Sequence, residues 1–173
     1  TTYFLQILQI ILNIKTQTVF NDKRQNKEKI MALEERLLKI IQRRFHYSDE
    51  QLAAFVSNSR NEDVMMKLKD VTSKYFVLKV IESNGCNSNH KVGDKFYLDG
   101  CGNILTRHCP DKICSYALHN AILMVFTANE FLYNDIDPKK IKFNRCNCFD
   151  VGVSCGGLGR IVLELEVVDS IEE

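Results

Sequence analysis

All seven cysteines of this 173-residue chain lie between Cys86 and Cys155. An odd number cannot pair completely within the chain, so the fold is not expected to rest on a full disulfide framework. The chain must instead bury an apolar core, and its length and 45% hydrophobic content are enough for one. The thiols Cys86, Cys101, Cys109, Cys114, Cys146, Cys148 and Cys155, with His90, His108 and His119 among them, are then left for metal binding, thiol chemistry or packing.

Charge and composition narrow the partners. The formal net charge is +1, there is no tryptophan, and no Lys/Arg run is long enough to track phosphates. Nucleic acid is therefore excluded as an expected partner. Residues 4–14 are largely apolar, but a membrane span needs about 20 such residues. The same segment lacks the basic start and small-residue cleavage site of a secretory signal. Met31 opens a well-patterned helix, and Lys27-Glu28 can be encoded AAG-GAG, a ribosome-binding sequence at normal spacing from an ATG. Residues 1–30 thus read as translated leader DNA. Leaving them out removes five basic and two acidic residues and brings the net charge to −2. No membrane partner is expected, and the cytoplasm is the expected location. Its reducing conditions favour metal or redox roles for clustered thiols over structural disulfides.

The pattern along the chain predicts an α+β fold in which a small, mostly antiparallel sheet packs on one long buried helix, after a helical lead over 31–70. Leu33, Leu37, Leu38, Ile40, Ile41 and Phe45 form a helical apolar stripe. Ser48-Asp49-Glu50-Gln51 has the form of a capping box, and Asn61-Glu62-Asp63 opens a third helix. From Lys74 the pattern changes to the Cys-rich domain of 71–173. Tyr75–Ile81, Lys95–Asp99, Ile104–Arg107, Ile141–Cys146 and Arg160–Val168 read as strands, and Gly100-Cys101-Gly102-Asn103 as a hairpin turn. Asp111 is the expected N-cap of a helix running to about Tyr133 that is apolar on most faces.

Cys146 and Cys148 flank one residue, so an extended backbone turns both to one face, where they can chelate an ion. Sulfur is a soft donor suited to Zn²⁺ or an iron–sulfur cluster. The spacings Cys86-x3-His90, Cys109-x4-Cys114 and Cys148-x6-Cys155 match neither zinc-finger nor ferredoxin patterns, so the signal is compositional. Cys114 near a helix N-terminus is the thiol whose surroundings favour reactivity, with Cys109 to resolve it. His119 is five residues on, which is off the face a Cys–His dyad needs. Gly156-Gly157-Leu158-Gly159 looks like a phosphate cradle, but it leads into a strand instead of a helix and reads as a tight turn.

Three runs, HKVGDKFYLDGCGNI (90–104), CPDKICSYALH (109–119) and CFDVGVSCGGLGRIVLE (148–164), resemble a family of small uncharacterised prokaryotic proteins. Its members carry a KVGD-F turn, a C–AL helix start and a cysteine-bearing final hairpin. The resemblance covers about residues 75–168 and implies one coherent domain, with no substrate and no catalytic residues attached.

These readings converge on a cytosolic accessory or redox protein that binds a soft metal or an iron–sulfur cluster. The expected ligands are Cys109, Cys114, Cys148 and Cys155, with Cys86 and Cys146 in reserve. A homodimer or a redox protein is the compatible partner. The alternative is a non-enzymatic binding or interaction module with inert buried cysteines. A third option, a small-molecule enzyme, places its pocket between helix 111–133 and the sheet. N-terminal sequencing of the protein from its native host is expected to begin at Met31; residues from 1–30 in the mature chain would overturn the leader reading.

Overall fold

A computed structural model describes residues 35–171. The expected leader and Met31 lie outside them. The chain divides into two compact units after Asn61. In the first, α1 covers residues 35–45 and α2 covers Asp49–Ser57. The predicted capping box opens α2. The Gln51 N–H donates to Ser48 Oγ (3.2 Å), and the Ser48 N–H donates to Gln51 Oε1 (2.8 Å). Two donors that α2 cannot satisfy internally are thereby satisfied.

The second unit begins within α3 (Ser59–Thr72). Its centre is a four-stranded sheet in the order β2-β1-β4-β3. The strands are β1 (Tyr75–Asn84), β2 (Lys95–Asp99), β3 (Arg145–Asn147) and β4 (Arg160–Val168), and every pair is antiparallel. Alternation by two decides which face is inside. Ile161, Leu163 and Leu165 of β4 are buried, as are Phe76, Leu78 and Val80 of β1 and Phe96 and Leu98 of β2. The helix α4 (Ser115–Tyr133) lies against this face through Ala117, Leu118, Ala121, Val125 and Ala128. Three alanines among those five contacts let the helix axis come close to the sheet. Burying a leucine such as Leu163 contributes about 2 kcal/mol by apolar area alone. The register of β1 on β4 slips between Val80 and Glu82, so Ile81 is an extra residue that bends β1 towards its C-terminal end.

Four local expectations change. The helix starts at Ser115, with Cys114 as N-cap, and Asp111 is exposed outside it. The reason lies upstream. The Tyr97 N–H donates to Cys109 Sγ (3.3 Å), and the Leu105 N–H donates to Tyr97 O (2.8 Å). The chain is therefore held along β2, and Pro110 keeps Cys109 extended (φ −101°, ψ 163°). Ile104–Arg107 is no strand: Ile104 makes one bridge to Leu98, and Thr106–His108 is a 3₁₀ turn. The strand expected at Ile141–Cys146 is displaced to Arg145–Asn147, because Asp137 caps a 3₁₀ turn at Pro138–Lys140. Finally, α4 is apolar nearly all round yet buries one side only, and Tyr116, Leu123 and Phe126 are exposed.

Replacing Leu163 by Ala should lower stability by about 2–5 kcal/mol in urea unfolding. Replacing Glu164, whose partner Arg145 is exposed, should cost under about 1 kcal/mol. Equal effects would contradict the assignment of the core face.

Candidate functional site: a thiol-lined cleft

The C-terminal end of β1 carries the geometry of interest. Asn84 is the register partner of Arg160. One residue further, the two chain segments touch backbone to backbone. A Cβ on Gly159 would lie 2.0 Å from Gly85 O, and one on Gly85 would lie 3.0 Å from Leu158 O. Gly85 also has φ +64°, a left-handed conformation that glycine adopts without strain. Only two glycines permit this approach, and it sets Cys86 beside Gly159 and Arg160 on one cleft wall.

The N-terminus of α4 forms another wall. Cys114 is its N-cap; its carbonyl accepts from the Ala117 and Leu118 N–H groups (both 3.1 Å), while its thiol makes no cap bond. Two hydrogen bonds tie the last residue of β3 and the chain after it to the first turns of α4. The Phe149 N–H donates to Tyr116 O (3.3 Å), and Asn120 Nδ2 donates to Asn147 O (3.0 Å). Cys148, between those anchors, is buried. Cys86, Cys114 and Cys148, from three separate segments, thus line one cleft of about 290 Å³ with Tyr116, Asp150 and Arg160.

The floor is organised by Asp150. Its carboxylate accepts from the N–H groups of Gly152 (3.0 Å), Leu158 (3.0 Å) and Gly159 (3.0 Å). A Cβ on Gly157 would fall 2.0 Å from Asp150 Oδ1. The Gly-Gly-Leu-Gly run is therefore a cradle for an anion after all, and the anion is the chain's own carboxylate. The bonds from Gly152 and then Gly159 hold the Asp150 carboxyl below its ordinary range; burial opposes them, and the Leu158 bond adds a contribution smaller than that of burial.

The remaining thiols stand elsewhere. Cys109 accepts from the Tyr97 N–H and serves the hairpin. Cys155 is exposed on a 3₁₀ turn (Val153–Cys155), and Cys101 is exposed in the Asp99–Asn103 turn. Cys146 is half-buried on β3, opposite Leu163, and does not line the cleft. Burial, then the neighbouring Cys148, pushes its thiol up, which keeps it protonated. Of the four expected ligands, the fold brings Cys114 and Cys148 to one cleft and leaves Cys109 and Cys155 off it; the reserve residue Cys86 joins them. Among the described residues, no three His, Cys, Asp or Glu groups converge tightly enough to hold a metal ion. The three thiols line walls and do not meet at a point.

Cys148 has both of its hydrogen-bonding roles filled. Its Sγ accepts from the Ile161 N–H (3.4 Å), and its S–H donates to Asp150 O (3.5 Å). His90 is 3% exposed, edge-on to Phe96 (5.0 Å), with Nδ1 3.6 Å from the Asp94 carboxylate, and it plugs the turn between β1 and β2. His119 packs at a tilt against Phe149 (ring centroids 4.9 Å) and does not line the cleft. A larger cleft of about 370 Å³ beside Pro138, Ile141 and Val167 is lined by neither thiol nor imidazole. No helix among the described residues is long and apolar enough to cross a membrane.

Neither family models, nor curated proteins, nor solved structures yield a match to this chain.

The depressed Asp150 carboxyl fixes the sign of a pH effect. Its contribution is complete above the unfolded-state value, near 3.8, and disappears as the pH falls through the lower folded-state value. Wild type should therefore melt above Asp150→Asn at neutral pH, and the gap should close as the solution is acidified below pH ~4. The variant should also alkylate faster at Cys148. A gap that is constant with pH would contradict the carboxylate cradle.

Proposed function

We propose that this chain is an accessory protein that binds one soft metal ion, of the Zn²⁺ class, through Cys86, Cys114 and Cys148. The observation that carries the reading is the gathering of three cysteines from distant segments onto one cleft. Three cysteines on the walls of one cleft match a single thiophilic ion better than a cubane cluster, which takes four cysteines. The Asp150 carboxylate is already filled by backbone donors, so it offers no ready fourth ligand. A three-thiolate site leaves its fourth position facing the cleft, where water or an exogenous ligand completes the tetrahedron. Capture requires the thiols to lose their protons and turn inward from the cleft walls, and affinity should therefore rise with pH. A reducing cytoplasm would keep them available. The resemblance to small uncharacterised prokaryotic proteins belongs to the same reading, since two of its three runs carry Cys114 and Cys148.

One observation favours the alternative, a binding module with inert cysteines: the thiol of Cys148 is already satisfied on both sides. Zinc titration of reduced, metal-free protein separates the two. One equivalent should bind, and Cys86→Ser, Cys114→Ser and Cys148→Ser should each weaken binding by at least tenfold. Cys101→Ser, Cys109→Ser and Cys155→Ser should leave it unchanged. Absence of binding, or losses confined to Cys109 and Cys155, would rule the reading out. Mild destabilisation alone in Cys148→Ala would support the inert module.

A further inference from the structure

The outward side of α4 has a pattern that the described residues leave uncovered. Tyr116, His119, Leu123, Phe126 and Glu130 are all exposed and recur at intervals of three, four, three and four residues. That is the spacing of a seam between two packed helices. Tyr116 is 68% exposed, Leu123 66% and Phe126 64%, with Ile122 beside them at 40%. Phe149, 55% exposed, widens the strip where its ring meets Tyr116 edge-on (6.5 Å). Between Ser115 and Tyr133 the only formally charged residue is Glu130. A helix face directed at water normally carries charge along its length.

We propose that this face is a homodimer interface, in which α4 packs antiparallel on α4 of a second copy about a two-fold axis near Leu123. Two features select a second copy. The first is self-complementarity. An axis at Leu123 sets Leu123 against itself and places Tyr116 opposite Glu130, so the one carboxylate meets a phenolic O–H at each end instead of a like charge. Such an isologous pairing closes after two chains. The second is size. From Tyr116 to Glu130 the seam is about 21 Å long at 1.5 Å per residue. The five apolar side chains present roughly 500 Å² per chain, given the 150–250 Å² that an aromatic side chain can bury. A standard interface takes about 800 Å² from each partner; the apolar side chains supply over half of that, and the polar seam residues His119 and Glu130, with Thr127 beside them, add to it.

The interface does not depend on the thiols, so it stands or falls apart from metal binding. Sedimentation equilibrium of the full chain under reducing conditions, across a micromolar concentration series, should give twice the chain mass. Leu123→Glu with Phe126→Glu should return the single mass with an unchanged far-ultraviolet circular dichroism spectrum, because neither side chain contributes to the core. Leu123→Ala, a milder change, should raise the dimer dissociation constant at least tenfold. A wild-type chain that remains single throughout the series would overturn the proposal, as would a dimer that survives the double substitution. So would a single-mass chain with the exposed α4 residues protected from solvent, since another segment would then be covering the face.

Discussion

The antiparallel pairing of β1 with β4 is the interaction on which the second unit depends. These two strands are central, and each supplies three of the residues that line the core. Their ladder runs from Tyr75–Val168 at one end to Asn84–Arg160 at the other. Everything at the cleft follows from where that ladder stops. The slip at Ile81 turns the last residues of β1, and the chain leaves it through Gly85 directly against Gly159. Two distant segments are thereby brought to backbone contact, which no side chain larger than hydrogen would allow.

Polar satisfaction then shapes the loop between β3 and β4. A segment of this length with several glycines loses much conformational freedom on folding. The Asp150 carboxylate offsets that by taking N–H groups from Gly152, Leu158 and Gly159, all of which would otherwise need water. The same loop starts at Cys148 and is stitched to α4 by backbone and amide bonds. The position of one buried thiol is thus set by hydrogen bonds on either side of it, and Cys114 and Cys86 line the same cleft from the helix end and the strand end. Cys109, by contrast, is held on β2 by the Tyr97 amide, which is also what delays the start of α4.

Much of the fold is legible in the residues themselves. The alternation Ile161, Leu163, Leu165 against Glu164 and Glu166 is enough to define β4 and its inner face, and Lys95–Asp99 is bounded by turns on both sides. The Ser48–Gln51 box is local and is found where expected. Non-local causes were illegible. Asp111 looks like a cap, but a contact between Cys109 and Tyr97, invisible in composition, holds the chain extended through Pro110. The apolar residues of α4 signal a helix without saying that Tyr116, Ile122, Leu123 and Phe126 face outward. At the cleft, clustering marks the 70-residue region but not which thiols share a wall, because Cys86 comes onto the cleft lined by Cys114 and Cys148 only through the Gly85–Gly159 contact. Asp150 could have been found from its place ahead of four glycines, Gly152, Gly156, Gly157 and Gly159, since a carboxylate followed by small residues is a loop that folds around it.

The proposal that the cleft lined by Cys86, Cys114 and Cys148 takes up one soft metal ion is tested most directly by X-ray absorption at the zinc edge on protein loaded with one equivalent. Three sulfur neighbours at about 2.3 Å and one lighter atom completing the shell are expected. A shell of nitrogen and oxygen without sulfur, or one with four sulfurs that persists when Cys86 is replaced, would contradict it.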